Sequence, residues 1–126
     1  MRRTIITVAV LAVAVLGLAA CDGDPATPDA TTQVVVTGTD ALAFEPDAFT
    51  VPASEEITVE LTSEPGVDHD FVIEELSDEL VVHADAGETA TGTFTIDDPG
   101  TYTVYCAVPG HREAGMEATL EVVDES

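Results

Sequence analysis

Short runs in which apolar and polar residues alternate cover most of the chain after residue 32. In residues 57–62 (ITVELT) and 91–96 (TGTFTI), every second position is apolar or glycine and the positions between are polar. Because successive side chains of a β-strand point to opposite faces of the sheet, this period of two is typical of strands with one buried face. Strands are therefore predicted at residues 33–37, 48–51, 57–62, 69–73, 80–83, 89–96, 101–106 and 118–123.

Sequences that favour chain reversal separate the predicted strands. Examples are residues 45–47 (EPD), 64–66 (EPG) and 97–100 (DDPG). Proline fixes φ near the value that a turn needs, and glycine adopts the positive φ that most other residues avoid. No stretch has a long apolar period of 3.6 residues, which would indicate an amphipathic helix. The predicted fold is therefore all-β: a Greek-key sandwich of two sheets with about seven or eight strands.

The charge of the chain is strongly one-sided. Its 126 residues include 25 Asp and Glu but only three Lys and Arg, and the formal net charge at pH 7 is -22. Outside the leader the only permanent cation is Arg112. Such a surface repels nucleic acid and anionic membrane, so we expect no nucleic-acid partner, and we expect added salt to stabilise the fold by screening the carboxylates. The length predicts a single domain at residues 33–126, which we expect to be monomeric.

The first 32 residues have the composition of an export signal followed by a linker. Arg2 and Arg3 precede an uncharged, mostly apolar stretch at residues 5–20, which is typical of a signal peptide and short for a membrane-spanning helix. The sequence Leu-Ala-Ala before Cys21 resembles a bacterial lipobox, so residues 1–20 are predicted to be removed and Cys21 to be lipidated. Residues 21–32 then form a flexible linker, and the domain is anchored by lipid to the extracytoplasmic face of the cell membrane. The alternative is a plain signal peptide that carries a cysteine near its end.

Three soft or borderline metal donors lie close together near the end of the chain. Cys106, His111 and Met116 fall within eleven residues, in a loop between two predicted strands. A fourth donor is predicted to be His69, which begins an apolar strand, with His83 as the rival candidate. Two histidines, one cysteine and a weak axial methionine are the ligands of a blue-copper electron-transfer site, so one copper ion per chain is predicted. Each residue also has a simpler interpretation, as a buried thiol, a surface imidazole or core filling.

These residues resemble the cupredoxins, the family of small blue copper proteins that includes plastocyanin and azurin. The resemblance covers about residues 33 to 123 and rests on His69 with the strand after it, on residues 100–106 (GTYTVYC), on residues 109–111 (PGH) and on Gly115 with Met116. It implies a one-electron carrier with no enzymatic activity, in which copper cycles between Cu(I) and Cu(II) and electrons pass through His111 to transient redox partner proteins. The family usually has asparagine after its first histidine ligand, and this chain has Asp70 there.

Two other kinds of copper centre need ligands that this chain lacks. Multicopper enzymes need additional histidine clusters, which three histidines cannot provide. Dinuclear centres need a second cysteine in the loop, and the other cysteine of the chain, Cys21, lies outside it. A copper carrier or storage protein remains the alternative function, because the identity of the ligands does not show whether the metal stays bound.

Overall fold

The computed structural model describes residues 30–124, which form two packed β-sheets. The strands are β1 (Gln33–Gly38), β2 (Phe44–Glu45), β3 (Ala48–Pro52), β4 (Ile57–Ser63), β5 (His69–Ile73), β6 (Glu79–Ala84), β7 (Thr89–Phe94), β8 (Gly100–Tyr105) and β9 (Glu117–Val123). A single 3-10 turn, Glu74–Leu76, follows β5. No helix within residues 30–124 has the length and apolar character needed to cross a membrane. The predicted all-β two-sheet sandwich is confirmed.

Each sheet contains some paired strands that are adjacent in the sequence and others that are far apart in it. One sheet has the order β2-β1-β4-β7 and the other the order β3-β9-β8-β5-β6. The pairs β1/β4 and β3/β9 are parallel, whereas the other pairs are antiparallel. Parallel neighbours require a long connection rather than a hairpin, so the chain crosses between the sheets. This arrangement brings the starting end of β5 close to the loop between β8 and β9.

The alternating residues form the core between the sheets. In β4 every second side chain is buried, beginning with Ile57, and in β9 every second side chain from Ala118 is buried. Phe71 is fully buried, and the rings of Phe44 and Phe49 lie 6.1 and 5.9 Å from its ring. Edge-to-face and tilted aromatic pairs at this spacing add to the stabilisation that comes from burial alone.

The structure differs from the predicted strand boundaries by one or two residues at several places. The predicted strand at residues 89–96 ends at Phe94, although Ile96 is still buried. The predicted strand at residues 101–106 ends at Tyr105, because Cys106 turns into the loop that follows. The short β2 was not predicted, since two residues are too few to show an alternating pattern.

The backbones of β7 and β6 lie close together at Gly92. A Cβ atom added to Gly92 of β7 would overlap the backbone carbonyl oxygen of Val81 and lie 3.0 Å from Cβ of Val82. A backbone oxygen that is part of a strand has little freedom to move. Glycine is therefore required at this position for the two sheets to close.

Candidate metal centre

Three of the four predicted ligands come from one loop between adjacent strands. Cys106 directly follows β8, Met116 directly precedes β9, and His111 lies between them. The backbone N–H of Cys106 donates to the carbonyl oxygen of Met116 at 3.2 Å, which extends the β8/β9 ladder by one pair. The N–H of Met116 donates to the carbonyl oxygen of His111 at 3.1 Å. These bonds fold the loop back over the end of the sandwich.

The fourth predicted ligand approaches from the neighbouring strand. His69 is the first residue of β5, which pairs with β8 in the same sheet. Its Nδ1 lies 3.9 Å from Sγ of Cys106, and Nδ1 of His111 lies 3.4 Å from the same sulfur. The donor atoms of the three residues all lie within 4.8 Å of one another. The structure thus brings together residues that are 37 positions apart in the sequence.

All four side chains are shielded from water. His69, Cys106 and Met116 are fully buried, and His111 is 8% exposed. His111, through which the family resemblance implies that electrons pass, is the one of the four with measurable exposure. The two imidazoles and the thiol are only 0–8% exposed. They are not ordinary hydrophobic core residues, because each buried polar group needs a polar partner.

Burial shifts the pKa of two of the predicted ligands. Burial and the nearby imidazole of His111 lower the pKa of His69, which favours the neutral ring that offers a lone pair. Burial raises the pKa of the Cys106 thiol, although backbone N–H groups of Asp70 and Val108 act in the opposite direction. Metal binding deprotonates a coordinating thiol, and this site then supplies hydrogen bonds to the thiolate.

The spacing of the donors fits a small transition-metal ion. Bonds from zinc to imidazole nitrogen and to thiolate sulfur are about 2.0 to 2.3 Å long, so three such donors around an ion in a trigonal plane lie about 3.7 Å apart. The observed separations of 3.4 and 3.9 Å bracket this value. Two histidines and one cysteine with a nearby methionine favour copper among the candidate metals.

The backbone of Asp70 takes part in the site, but its side chain does not. The N–H of Asp70 donates to Sγ of Cys106 at 3.3 Å. Its carboxylate instead faces His83 in β6, with Oδ1 of Asp70 2.5 Å from Nδ1 of His83. His83, the rival candidate for the fourth ligand, has a side chain that is 42% exposed and takes no part in the cluster of His69, Cys106 and His111.

One residue that supports the site was missed at the sequence level. A Cβ atom added to Gly38, at the end of β1, would lie 2.5 Å from Cγ of His69 and would overlap Cδ2 of the same ring. Because Gly38 has no side chain, the His69 ring can pack directly against its backbone. The sequence around it (VTGTD) is compatible with an ordinary strand end, so only the packing against a residue 31 positions later shows its importance.

The predicted lipidation site, Cys21, and the predicted signal peptide lie outside the described residues. Within residues 30–124, Cys106 is the only cysteine and it is a free thiol.

Comparison with known proteins identifies the family. The model of the plastocyanin/azurin family of copper-binding proteins matches residues 30–123. Auracyanin-B of Chloroflexus aurantiacus is 29% identical over 113 residues, which cover 66% of this chain and 48% of the relative. The chloroplastic plastocyanin of Solanum lycopersicum is 36% identical over 104 residues, which cover 71% of this chain and 57% of the relative. The chain thus spans about half the length of these two curated relatives.

Among solved structures, a similar one is the dithionite-reduced auracyanin of the photosynthetic bacterium Roseiflexus castenholzii. It superposes with a TM-score of 0.63 and 26% identity, covering 75% of this chain and 98% of the auracyanin. The predicted resemblance to the cupredoxins is confirmed by both comparisons. The chain belongs to the plastocyanin/azurin family of copper-binding proteins, and this membership confirms the predicted copper cofactor.

Proposed function

We propose that the protein is a one-electron carrier whose single copper ion is held by His69, Cys106, His111 and Met116. The observation that carries this proposal is the convergence of two Nδ1 atoms and one Sγ atom in a buried cluster, separated by 3.4 and 3.9 Å. The fully buried thioether of Met116 comes from the same loop and would be the fourth, weak donor to copper. When bound, copper supplies a couple between Cu(I) and Cu(II).

The protein contributes rigidity, exclusion of water and hydrogen bonds. His69 is held by a strand, and Cys106 and Met116 are joined by the hydrogen bond that continues the β8/β9 ladder. Donors that keep their positions in both oxidation states lower the reorganisation that each electron transfer requires. The N–H of Asp70 stabilises negative charge on the sulfur of Cys106, which adjusts the reduction potential.

Electrons enter and leave through His111 in this proposal. Its ring is the most exposed of the four ligands at 8%. The same loop carries small apolar residues, here called the apolar rim, of which Val108 is half-buried and the others are exposed: Ala107, Pro109, Gly110 and Ala114. A small apolar rim suits the brief, weak contacts of electron-transfer partners, and the net charge of -22 favours partners with basic or neutral surfaces.

No enzymatic activity is proposed. The chain has three histidines, and the third, His83, is hydrogen-bonded to Asp70 and Asp85. A catalytic copper cluster with several histidine ligands cannot be built from the remaining two. The proposed function is therefore limited to electron exchange with other proteins.

We further propose that the protein is exported and acts at the outer face of the cell membrane, where it is attached through lipid on Cys21. The support is the apolar stretch at residues 5–20 that ends in Leu-Ala-Ala-Cys. Two acyl chains give lasting attachment, whereas a single chain binds marginally. Mass spectrometry of the mature protein tests this proposal, since a lipidated chain begins at Cys21 and carries the acyl mass.

The test of the copper site uses the purified full chain, freed of metal and titrated with Cu(II). An intense blue absorption that saturates at one copper per chain is expected. Cys106→Ser should abolish the blue band and keep the β-sheet circular dichroism, because the strands form the core without the thiol. Cys21→Ser is the matched control, since it removes the other cysteine and should leave the band unchanged. A Cys106→Ser variant that still turns blue would refute the proposed site.

The second candidate function, a copper carrier or storage protein, shares the same ligands. Full burial of three of the four donors favours retention of the metal and hence the electron carrier. The two functions are separated by mixing the Cu(I) form with a metal-free competitor protein. A carrier transfers its copper within the experiment, whereas an electron shuttle keeps it and cycles reversibly in voltammetry.

A further inference from the structure

Arg112 occupies an unusual position for the only permanent cation in residues 30–124. It directly follows His111 in the ligand loop, and its side chain is 34% exposed. Nη2 lies 2.9 Å from Oε1 of Glu74, and Nε donates to Oε1 of Glu117 at 2.9 Å. The guanidinium carbon lies 4.0 Å from the centre of the Tyr105 ring.

Each residue that Arg112 contacts belongs to a segment that carries another predicted ligand. Tyr105 directly precedes Cys106, and Glu117 directly follows Met116. Glu74 directly follows β5, the strand that His69 begins. Arg112 is also the next residue after His111 in the chain. Its guanidinium therefore links the segments that carry all four predicted ligands.

The contact residues of Arg112 are themselves fixed to the sheet. The hydroxyl of Tyr105 donates to Oδ1 of Asp78 at 2.8 Å, beyond the 3-10 turn. Glu75, next to Glu74 in that turn, accepts a hydrogen bond from the N–H of Thr103 in β8 at 2.7 Å. The 3-10 turn is thus hydrogen-bonded to β8 independently of Arg112. Glu74 in this turn is therefore a fixed partner for the Arg112 side chain of the loop.

The chemistry of these contacts requires arginine. A guanidinium is planar and carries several donors in fixed directions, so it pairs with two carboxylates while its face stacks on an aromatic ring. A lysine ammonium on its flexible stem is a point charge and cannot make all three contacts together. Without a cation, the carboxylates of Glu74 and Glu117 would face each other across the loop and repel.

We propose that Arg112 is a positioning residue that holds the loop between β8 and β9 in its metal-binding conformation before copper is bound. The inference rests on the proposed copper site for its functional meaning. A loop that is already ordered when the metal arrives loses less conformational freedom on binding, and this raises the affinity. An ordinary surface ion pair would instead contribute a little to global stability and nothing specific to the loop.

The test measures backbone amide hydrogen exchange in the copper-free full chain. The amides to follow are those of Ala114, Gly115 and Met116, which donate hydrogen bonds within the loop. The amide of Val59 in β4 is the reference for global opening. In Arg112→Gln the loop amides should exchange about tenfold faster, which corresponds to about 1.4 kcal/mol, while the amide of Val59 is unchanged.

Two further variants separate position from charge. Arg112→Lys keeps the positive charge, so we expect it to keep the fold. It should also accelerate amide exchange in the loop, as Arg112→Gln does. Gln33→Glu makes the same change in net charge as Arg112→Gln at an exposed position in β1, and its loop amides should exchange at the wild-type rate. Wild-type loop protection in both Arg112 variants, or equal loss of protection at Val59 and in the loop, would overturn the proposal.

The affinity for Cu(I), measured by competition with a chromophoric chelator, tests whether the order of the loop affects metal binding. Arg112→Gln is expected to bind about tenfold more weakly than wild type and than Gln33→Glu. Equal affinities would overturn the metal-binding part of the proposal. The exchange result does not depend on copper, so failure of the copper site in the Cys106→Ser experiment remains distinguishable from failure of the positioning role.

Discussion

Oδ1 of Asp70 lies 2.5 Å from Nδ1 of His83, and Nε2 of the same imidazole lies 3.1 Å from Oδ1 of Asp85. The antiparallel register of β5 and β6 places Asp70 directly opposite His83. The carboxylate beside the metal site therefore has a partner on the next strand. The hydrogen bond that the His83 ring donates to the carboxylate of Asp70 raises the pKa of His83, and Asp85 adds to the effect.

This relationship predicts how stability changes with pH. The pKa of His83 in the folded chain lies above the ordinary value of 6.5 that applies in the unfolded chain. The stabilisation is therefore fully present below the unfolded pKa and is lost as pH rises through the folded pKa. Because the side chain of His83 is 42% exposed, solvent screening limits the contribution to about 1 kcal/mol or less.

The measurement compares thermal melting of wild type and His83→Gln at about pH 5.5 and about pH 9. Wild type should melt higher than His83→Gln at the acidic pH, by a few degrees at most, and the difference should disappear at the alkaline pH. Asp70→Asn is the partner control, since it should remove most of the pH-dependent difference. A gap in melting temperature that is the same at both pH values would contradict this assignment.

Gly38→Ala is predicted to damage the metal site. The new methyl group would lie 2.5 Å from Cγ of His69, whose ring is fully buried. Overpacking of this kind costs about 1 to 3 kcal/mol, and relief requires the imidazole to move. Copper binding and the visible spectrum of the loaded protein should therefore change together with the melting temperature.

Gly92→Ala is the matched control for this prediction. Its methyl group would overlap the carbonyl oxygen of Val81, in a region without predicted ligands. The variant should lose comparable stability and keep the wild-type spectrum when it is loaded with copper. If both variants alter the spectrum equally, the effect of Gly38 is a general loss of packing and not a displacement of His69.

Salt is predicted to raise the melting temperature of the protein. The chain has 25 acidic residues against three Lys and Arg, so the folded state concentrates repulsion that the unfolded chain relieves. The Debye length falls from about 10 Å at 0.1 M salt to about 3 Å at 1 M, which removes most repulsion between exposed carboxylates. Calorimetry from low to molar potassium chloride checks the prediction, and a constant melting temperature would refute it.

Substitutions at Met116 are predicted to shift the reduction potential in opposite directions. Met116→Gln should lower it, because a harder axial oxygen stabilises Cu(II), and Met116→Leu should raise it, because loss of the donor favours Cu(I). Leucine is apolar and near the size of methionine, so the fully buried position can accept it. Voltammetry of the three proteins measures the shifts. Identical potentials would show that the thioether does not act on the metal.

Much of the fold could be predicted because strands and turns have local signatures. The alternation in β4 and β9 predicts which side chains are buried, since a strand presents its residues to opposite faces whatever its neighbours are. The ligand loop could also be predicted, because only a few residues separate its three donors in the sequence. Its hydrogen bonds, such as that from Met116 to His111, are likewise local.

The partners of distant segments were decided by the tertiary structure. From the sequence, His69 and His83 are two histidines at the ends of short apolar runs, and the family resemblance favoured His69. The packing of β5 between β8 and β6 is what turns His69 inward toward Cys106 and places His83 on the exposed face. The contact of Gly38 with His69 depends on the same assembly of the sheets.

The sequence by itself determined the all-β class, the loop with three of the proposed ligands and the acidic surface, because each depends on residue type and short-range spacing. Only the tertiary structure decided which carboxylates Arg112 joins, that Asp70 faces His83, and that β1 pairs in parallel with β4. These contacts link residues whose separation along the chain carries no periodic signal. They form because the two sheets can close around one core in one register, and that register is a property of the whole chain.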